Sequence, residues 1–448
     1  MTGPPSGGDD TTRPSSPPPP PVGARRFDPS EIERSGRPRF RPAAPRRHDL
    51  DALRGFAMLL GIALHAALPF VPYWADGDPG GGLLFGLFEF IHGFRMPLFF
   101  VLSGYFTTML WRSRGLREMI DHRLRRVGLP FLASVAVVLP LLLLGVIAGY
   151  VLSGEDPRLA DVGGVYEDVD AAGVVDGDSS GSEASDDEDA EFGVGHLWFL
   201  WFLIWMVAGF AAVVGAVARF ARRRERDRVV PHRLVTLCLI LLPPLAVVPA
   251  TMMSAEIFGP DTSEAIVPDV AVFAYYACFF AFGALVHDRH SGTGEPLIDA
   301  VGRWWPAQLV IGSAVLFPVG LALLGERPSV SAALQVAFAW MISFGLLGMF
   351  RRFLSDDRFH VRWLSDASYW MYLMHLPLVF VFQGIVAALG VPPLLGFVSI
   401  CAAVTPLLLI SYRSWVRYTF VGTMLNGHRS RDEDTVRRSN AATSTPST

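Results

Sequence analysis

Ten apolar runs, most of them close to the length of a membrane-crossing helix, alternate with polar connections along the middle of the chain. They lie near 52–72, 83–106, 128–152, 196–218, 234–250, 267–287, 305–324, 332–350, 366–389 and 392–412. A helix needs about 20 apolar residues to cross a hydrocarbon core about 30 Å thick. The pattern therefore predicts an all-α polytopic bundle of about ten transmembrane helices. The run at 234–250 is short and carries Pro243, Pro244 and Pro249, so a broken helix is expected there, with neighbours taking up the freed carbonyls. No internal repeat is evident, and the phosphate-loop patterns G-x-x-x-x-G-K-[ST] and G-x-G-x-x-G do not occur.

Polar segments flank and interrupt this array. Residues 1–48 hold the run Pro17 to Pro21, Gly, Ser and nine Arg; with so little apolar area to bury, they are expected to form a disordered arm. The loop 153–195 carries 14 Asp and Glu against the single Arg158, the composition of a solvated insertion. A transmembrane domain over 49–424 and a polar tail over 425–448 complete the expected organisation. Even with these flanks, the 448-residue chain is 51% hydrophobic and only 18% charged, against roughly a quarter charged in soluble domains. Its mean hydropathy is +0.36. A soluble multidomain enzyme is excluded.

The arginines fix the expected orientation. All 38 basic residues are Arg, a usage that fits a GC-rich bacterial genome. If the amino-terminal arm is cytoplasmic, 34 of them fall on the inside, Arg158 and Arg327 on the outside, and Arg54 and Arg95 within the membrane. This is the bias of the positive-inside rule. It predicts both termini in the cytoplasm and a multi-pass protein of the bacterial cytoplasmic (inner) membrane. Cys238, Cys278 and Cys401 all sit in apolar runs, which supports packing rather than disulfides or a thiolate metal site. No metal site and no nucleic-acid partner is expected; membrane lipids are.

An ionisable side chain in the hydrocarbon region costs about 2.5–3.5 kcal/mol on insertion scales, so each one marks a candidate site. In the first run, Asp51 and Arg54 lie on neighbouring turns. Arg54 and His65 are eleven residues apart, which leaves only about 20° between them around a helix and about 16 Å along it. Arg54, Met58, Gly61 and His65 thus form one stripe, with both ionisable groups expected to face a shared cavity. Gly61 leaves room on that stripe for a substrate arm or another helix. Read alone, Arg54 also fits an interfacial anchor that snorkels. The second run holds Glu89, His92 and Arg95 at three-residue spacing, with His92 placed to bridge the two opposite charges and Pro97 placed to kink the helix. Such a network serves either helix orientation or substrate binding. His196 opens the fourth run beside Trp198 and Trp201, which suit an aromatic belt. His375 lies inside the ninth run, two residues before Pro377.

In these residues the sequence resembles the acyltransferase-3 family of integral membrane acyltransferases, and within it the glucan-biosynthesis C branch. The resemblance rests on Asp51-x-x-Arg54-Gly55 with its ten-residue interval to His65, and on Met96-Pro97-Leu98-Phe99-Phe100-x-x-Ser103-Gly104-Tyr105. His196-Leu197-Trp198-Phe199-Leu200 and Ser368-Tyr369-x-x-Tyr372-Leu373-x-His375 complete it. These pieces follow in family order between 49 and 412. The chain departs from the branch at Arg95, where many members carry His, and in the acidic insertion before His196.

The resemblance implies transfer of an acyl group, of acetyl or succinyl type, from cytoplasmic acyl-CoA to a hydroxyl of a glycan, a lipid-linked acceptor or another envelope molecule. Acyl-CoA is then a substrate, and no permanently bound cofactor is implied. His65 suits a general base, its ordinary pKa near 6.5 lying close to working pH. Arg54 suits phosphate or carbonyl binding, with Asp51 orienting it. Arg95, Ser103 and Tyr105 are the alternatives for oxyanion stabilisation. His196 and Trp198 lie where an acceptor would enter, and Glu89, His92 and His375 complete the candidate substrate-binding set. A transporter or flippase of a small envelope precursor is the alternative, with Arg54, His65, Glu89 and Arg95 as a polar conduit; the lack of repeat symmetry stands against it.

Overall fold

The computed structural model describes Gly3 and residues 47–70, 77–154, 193–223, 232–356 and 359–426. The Pro- and Arg-rich arm, apart from Gly3 and its last residues, lies outside the described residues, as do most of the acidic loop and the tail beyond Asn426. The described residues from Arg47 onward form a single unit.

Ten apolar helices run through it. They are α1 (His48–Phe70), α2 (Pro79–Arg114), α3 (Leu116–Ser153), α4 (Gly195–Phe220), α5 (Arg233–Ala250), α6 (Val270–Val286), α7 (Trp305–Ala322), α8 (Pro328–Phe353), α9 (Val361–Ala388) and α10 (Pro393–Val416). Nine of the described helices are long and apolar enough to cross a membrane, whereas α6 has 17 residues. The short helix α11 (Phe420–Asn426) follows. No strand occurs among the described residues. The protein is an all-α, multi-pass membrane bundle.

Local chemistry sets the helix ends. Asp78 caps α2 by accepting a hydrogen bond from Gly81 N at 2.7 Å, with Pro79 in the first turn, where its missing N–H costs nothing. Gly115, at φ 87°, ends α2 and donates its N–H to Trp111 O. Asp269 caps α6 through Val272 N at 2.9 Å, which starts this helix later than hydropathy alone predicts. α2 and α3 outrun their apolar windows by a turn or more, because their Arg-rich ends remain helical beyond the hydrophobic part. α2 passes through Pro97 as one continuous helix. The prolines in α5 give the expected break: helix spans His232–Leu245 and resumes at Val247.

The interior is built on α1, α2, α8 and α9. α9 packs most extensively on α3 and α1, and α6 lies along α2. Of the apolar window of α2, 67% is buried, against 11% for α7, which sets α7 at the periphery. α2 and α6 meet backbone to backbone, where a Cβ on Gly104 would collide with Phe280 O and one on Gly283 with Val101 O, and α3 and α9 do the same. A Cβ on Gly145 would stand 2.6 Å from Pro377 O, and one on Gly149 would stand 2.7 Å from Phe380 O. These two glycines, four residues apart, make the small-residue face that lets membrane helices pack backbone to backbone.

One end of the bundle is ionic. Arg47 pairs with Asp49 at 2.6 Å and with Asp299 at 2.5 Å, and Asp299 also meets Arg351 at 3.6 Å. Arg112 pairs with Asp288, which also takes a hydrogen bond from His287. That bond holds the Asp288 carboxyl below its ordinary range. The chain between α5 and α6, residues 251–269, covers part of the opposite end.

Candidate active site

Between the helices lies a cavity with about 1060 Å³ of empty space, including its mouth. α1 lines it from Ala57 to Leu68, α2 from Phe88 to Phe99, and α4 with His196, Trp198 and Phe199. Tyr276 of α6, Tyr372 and His375 of α9, and Ile257, Thr262 and Glu264 of the 251–269 segment complete the wall. Six of the sequence-predicted residues therefore meet here: His65, His92, Arg95, His196, Trp198 and His375.

Two imidazoles face one another. The rings of His65 and His375 have centroids 5.2 Å apart, and the His196 ring is 6.3 Å from that of His375. Nδ1 of His375 lies 3.0 Å from Met371 O and 2.8 Å from Tyr372 O. A carbonyl only accepts, so Nδ1 carries the proton and Nε2 presents a lone pair. That Nε2 is buried and has no hydrogen-bond partner among the described residues. His196 is held through its backbone, where its carbonyl accepts from the Tyr372 hydroxyl at 2.8 Å. The His65 carbonyl accepts from Gln383 Nε2 at 2.8 Å.

Arg95 stands over the gap that Gly61 leaves, and a Cβ on Gly61 would collide with its Nη1. The room on the α1 stripe is thus taken by a guanidinium from α2. The cavity follows the stripe from Leu68 down to Ala57 and stops one turn short of Arg54.

Arg54 does not share the cavity with His65. Its Nη2 donates to Ser365 Oγ at 3.0 Å and lies 3.9 Å from Asp51 Oδ1, so Asp51 and Arg54 stay together at the ionic end. The cavity expected to be shared by Arg54 and His65 is lined by His65 alone of the two. Helical phase puts them on one face, but α9 supplies a local partner for Arg54 through Ser365. Ser103 and Tyr105 are also absent from the cavity wall. The Ser103 carbonyl accepts from Thr107 Oγ1 at 2.7 Å, and the Tyr105 ring packs 4.9 Å from that of His287.

Glu89 and His92 do not bridge to Arg95 in the expected way. The Glu89 carboxylate accepts from Phe258 N, and His92 Nε2 donates to Pro260 O at 2.9 Å. Gln335 Oε1 accepts from Gly259 N at 2.8 Å. These bonds tie the 251–269 segment down as a cap, with Phe258 fully buried beneath it. The three-residue spacing on α2 was legible; its partner was a segment distant in sequence.

Sequence reasoning missed Glu264, Thr262 and Arg123. Among the described residues Glu264 is the one acidic side chain on the cavity wall, and burial pushes its carboxyl up to about 7. It sits in a connection with no periodicity or motif to single it out. Arg123 donates to Thr107 Oγ1 at 2.9 Å near the ionic end; it reads in sequence as one more arginine of a basic loop. Among the described residues, no group of three or more His, Cys, Asp or Glu is arranged to hold a metal ion.

A family model described as an acyltransferase domain matches residues 47–413. The glucans biosynthesis protein C of Salmonella schwarzengrund (strain CVM19633), and those of Salmonella typhi and Salmonella typhimurium, are each 27% identical to this chain over 405 residues. The matched region covers 86% of this chain and 95% of each relative. No solved structure matches it.

Proposed function

The chain belongs to the acyltransferase-3 family of membrane acyltransferases, and from that membership we propose that it moves an acetyl- or succinyl-type group from cytoplasmic acyl-CoA to a hydroxyl of a glycan, with His65 as the general base. The observation that carries this reading is the placement of His65 on the wall of the central cavity, 5.2 Å from a second imidazole and beside Arg95. The relatives' name points to a glucan as the acceptor class.

His65 takes the proton of the attacking hydroxyl as its oxygen bonds to the thioester carbonyl carbon. Arg95, rather than Ser103 or Tyr105, is on the cavity wall to hold the oxyanion. The C–S bond then breaks, the imidazolium returns its proton to the CoA sulfur, and an ester and free CoA leave. His375 presents a lone pair to the same cavity across from His65. Arg54 and Arg123 at the ionic end suit the CoA phosphates, which puts that end in the cytoplasm and the cap outside, as the arginine bias requires. The chain is accordingly a protein of the bacterial cytoplasmic membrane with both termini inside.

His65→Ala, purified in detergent, is expected to lose CoA release from acetyl-CoA or succinyl-CoA in the presence of gluco-oligosaccharides by about 10²–10⁴-fold. Full activity in that variant would remove His65 as the base. No release by the unaltered protein from either thioester would remove the acyl-CoA donor.

A further inference from the structure

The cap brings one carboxylate into a cavity otherwise furnished with imidazoles, a guanidinium and aromatic rings. Glu264 lies on the wall, and its backbone carbonyl accepts from Val194 N at 2.7 Å, which pins it beside the turn that carries His196. Among the described residues nothing donates a hydrogen bond to its side chain. A half-buried carboxylate without a donor is costly unless a ligand supplies one. Beside it, Thr262 offers a hydroxyl, and Trp198, Phe199 and Tyr372 form an apolar wall. The Phe199 and Tyr372 rings are 6.0 Å apart.

A carboxylate next to aromatic faces suits a sugar. The carboxylate accepts from neighbouring hydroxyls, bonds to a charged acceptor being the stronger kind, while the C–H face of the ring packs on the aromatics. A phosphate or carboxylate ligand is disfavoured at the same place by like charge. We propose that Glu264 is the acceptor-recognition residue: its carboxylate binds hydroxyls of a sugar ring resting on Trp198, Phe199 and Tyr372, and leaves another hydroxyl of the same sugar on the side of His65 and His375. The assignment rests on the acyltransferase reading for the fate of that hydroxyl, but the binding itself is testable without turnover.

The experiment measures equilibrium binding of labelled gluco-oligosaccharides to the purified full-length protein, and steady-state transfer from succinyl-CoA or acetyl-CoA to the same oligosaccharides. Glu264→Gln keeps the shape and removes the charge. It is expected to weaken oligosaccharide binding about tenfold and to raise the KM for oligosaccharide by a similar factor, with kcat within about twofold. Glu264→Asp should recover part of the loss, and Thr262→Ala should weaken binding by a smaller factor. A purely structural role would lower kcat and the binding of both substrates together. Unchanged oligosaccharide binding in Glu264→Gln, or no binding by the unaltered protein, overturns the subsite. Binding that depends on Glu264 without CoA release from either thioester keeps the subsite and overturns the acyl-transfer reading.

Discussion

Gly61 and Arg95 show how a single hydrogen atom's worth of space positions a functional group. The absent side chain on α1 is what allows the α2 guanidinium to lie over the stripe below His65. Gly61→Ala is therefore expected to displace Arg95 with little loss of helix stability, since Ala is the better helix former. Its effect should appear as a fall in kcat of about 10²–10³-fold, the size expected for one lost donor to developing charge. The check is a double-mutant cycle: Gly61→Ala on an Arg95→Ala background should cost almost nothing more. Additive losses would mean that Gly61 acts on something other than Arg95. His375 illustrates the same economy. Two carbonyls of its own helix hold Nδ1 and so leave Nε2 as the acceptor.

The 251–269 segment has no regular structure, yet it decides what the far end of the cavity looks like. Glu89, His92 and Gln335 hold it at three successive residues, Phe258, Pro260 and Gly259 between them. Burial raises the Glu264 carboxyl from its ordinary value to about 7. The folded state therefore binds more protons than the unfolded chain between pH 4.5 and about 7, and this group's contribution to stability declines as pH rises through that window. The penalty is complete above about pH 7. Glu264→Gln removes it, so the variant is expected to melt on the order of 3 °C higher than the unaltered protein at pH 8 and at nearly the same temperature at pH 4. Intrinsic tryptophan fluorescence during heating measures this. A variant less stable at pH 8 would show that the charge is compensated in the fold. Gain of stability with loss of acceptor binding is the trade expected at a functional site.

At the scale of the whole molecule, the ionic end and the capped end are chemically opposed. Arg47, Arg112 and Arg351 join their partners at one end, and Glu264 with its neighbours lies at the other. If the arginine bias sets orientation, a cysteine at Gly292 belongs to the cytoplasm and one at Val267, which is 80% exposed, belongs outside. In a chain with Cys238, Cys278 and Cys401 replaced by Ala, a membrane-impermeant maleimide should label Val267→Cys in intact spheroplasts. It should label Gly292→Cys only after the membrane is opened. The reverse pattern would invert the bundle and, with it, the assignment of Arg54 to CoA phosphates.

Hydropathy and charge alone determined that the chain is a multi-pass helical bundle. They also determined nearly where each helix runs, including the break in α5 at its prolines. The reason is that an apolar span of given length and a bias of arginine are local properties, settled by the solvent on either side rather than by neighbours. His65, Arg95, His196 and His375 were also legible as residues, because polar side chains in apolar runs are rare enough to stand out. Their assembly was not legible. Helical phase aligned Arg54 with His65, but which of them meets the cavity depended on α9, whose Ser365 engages Arg54 and whose His375 faces His65. The same held for Glu89 and His92, whose partners lie about 170 residues away in a connection with no pattern of its own. Contacts between distant segments are set by packing in three dimensions, and only the folded bundle could decide them.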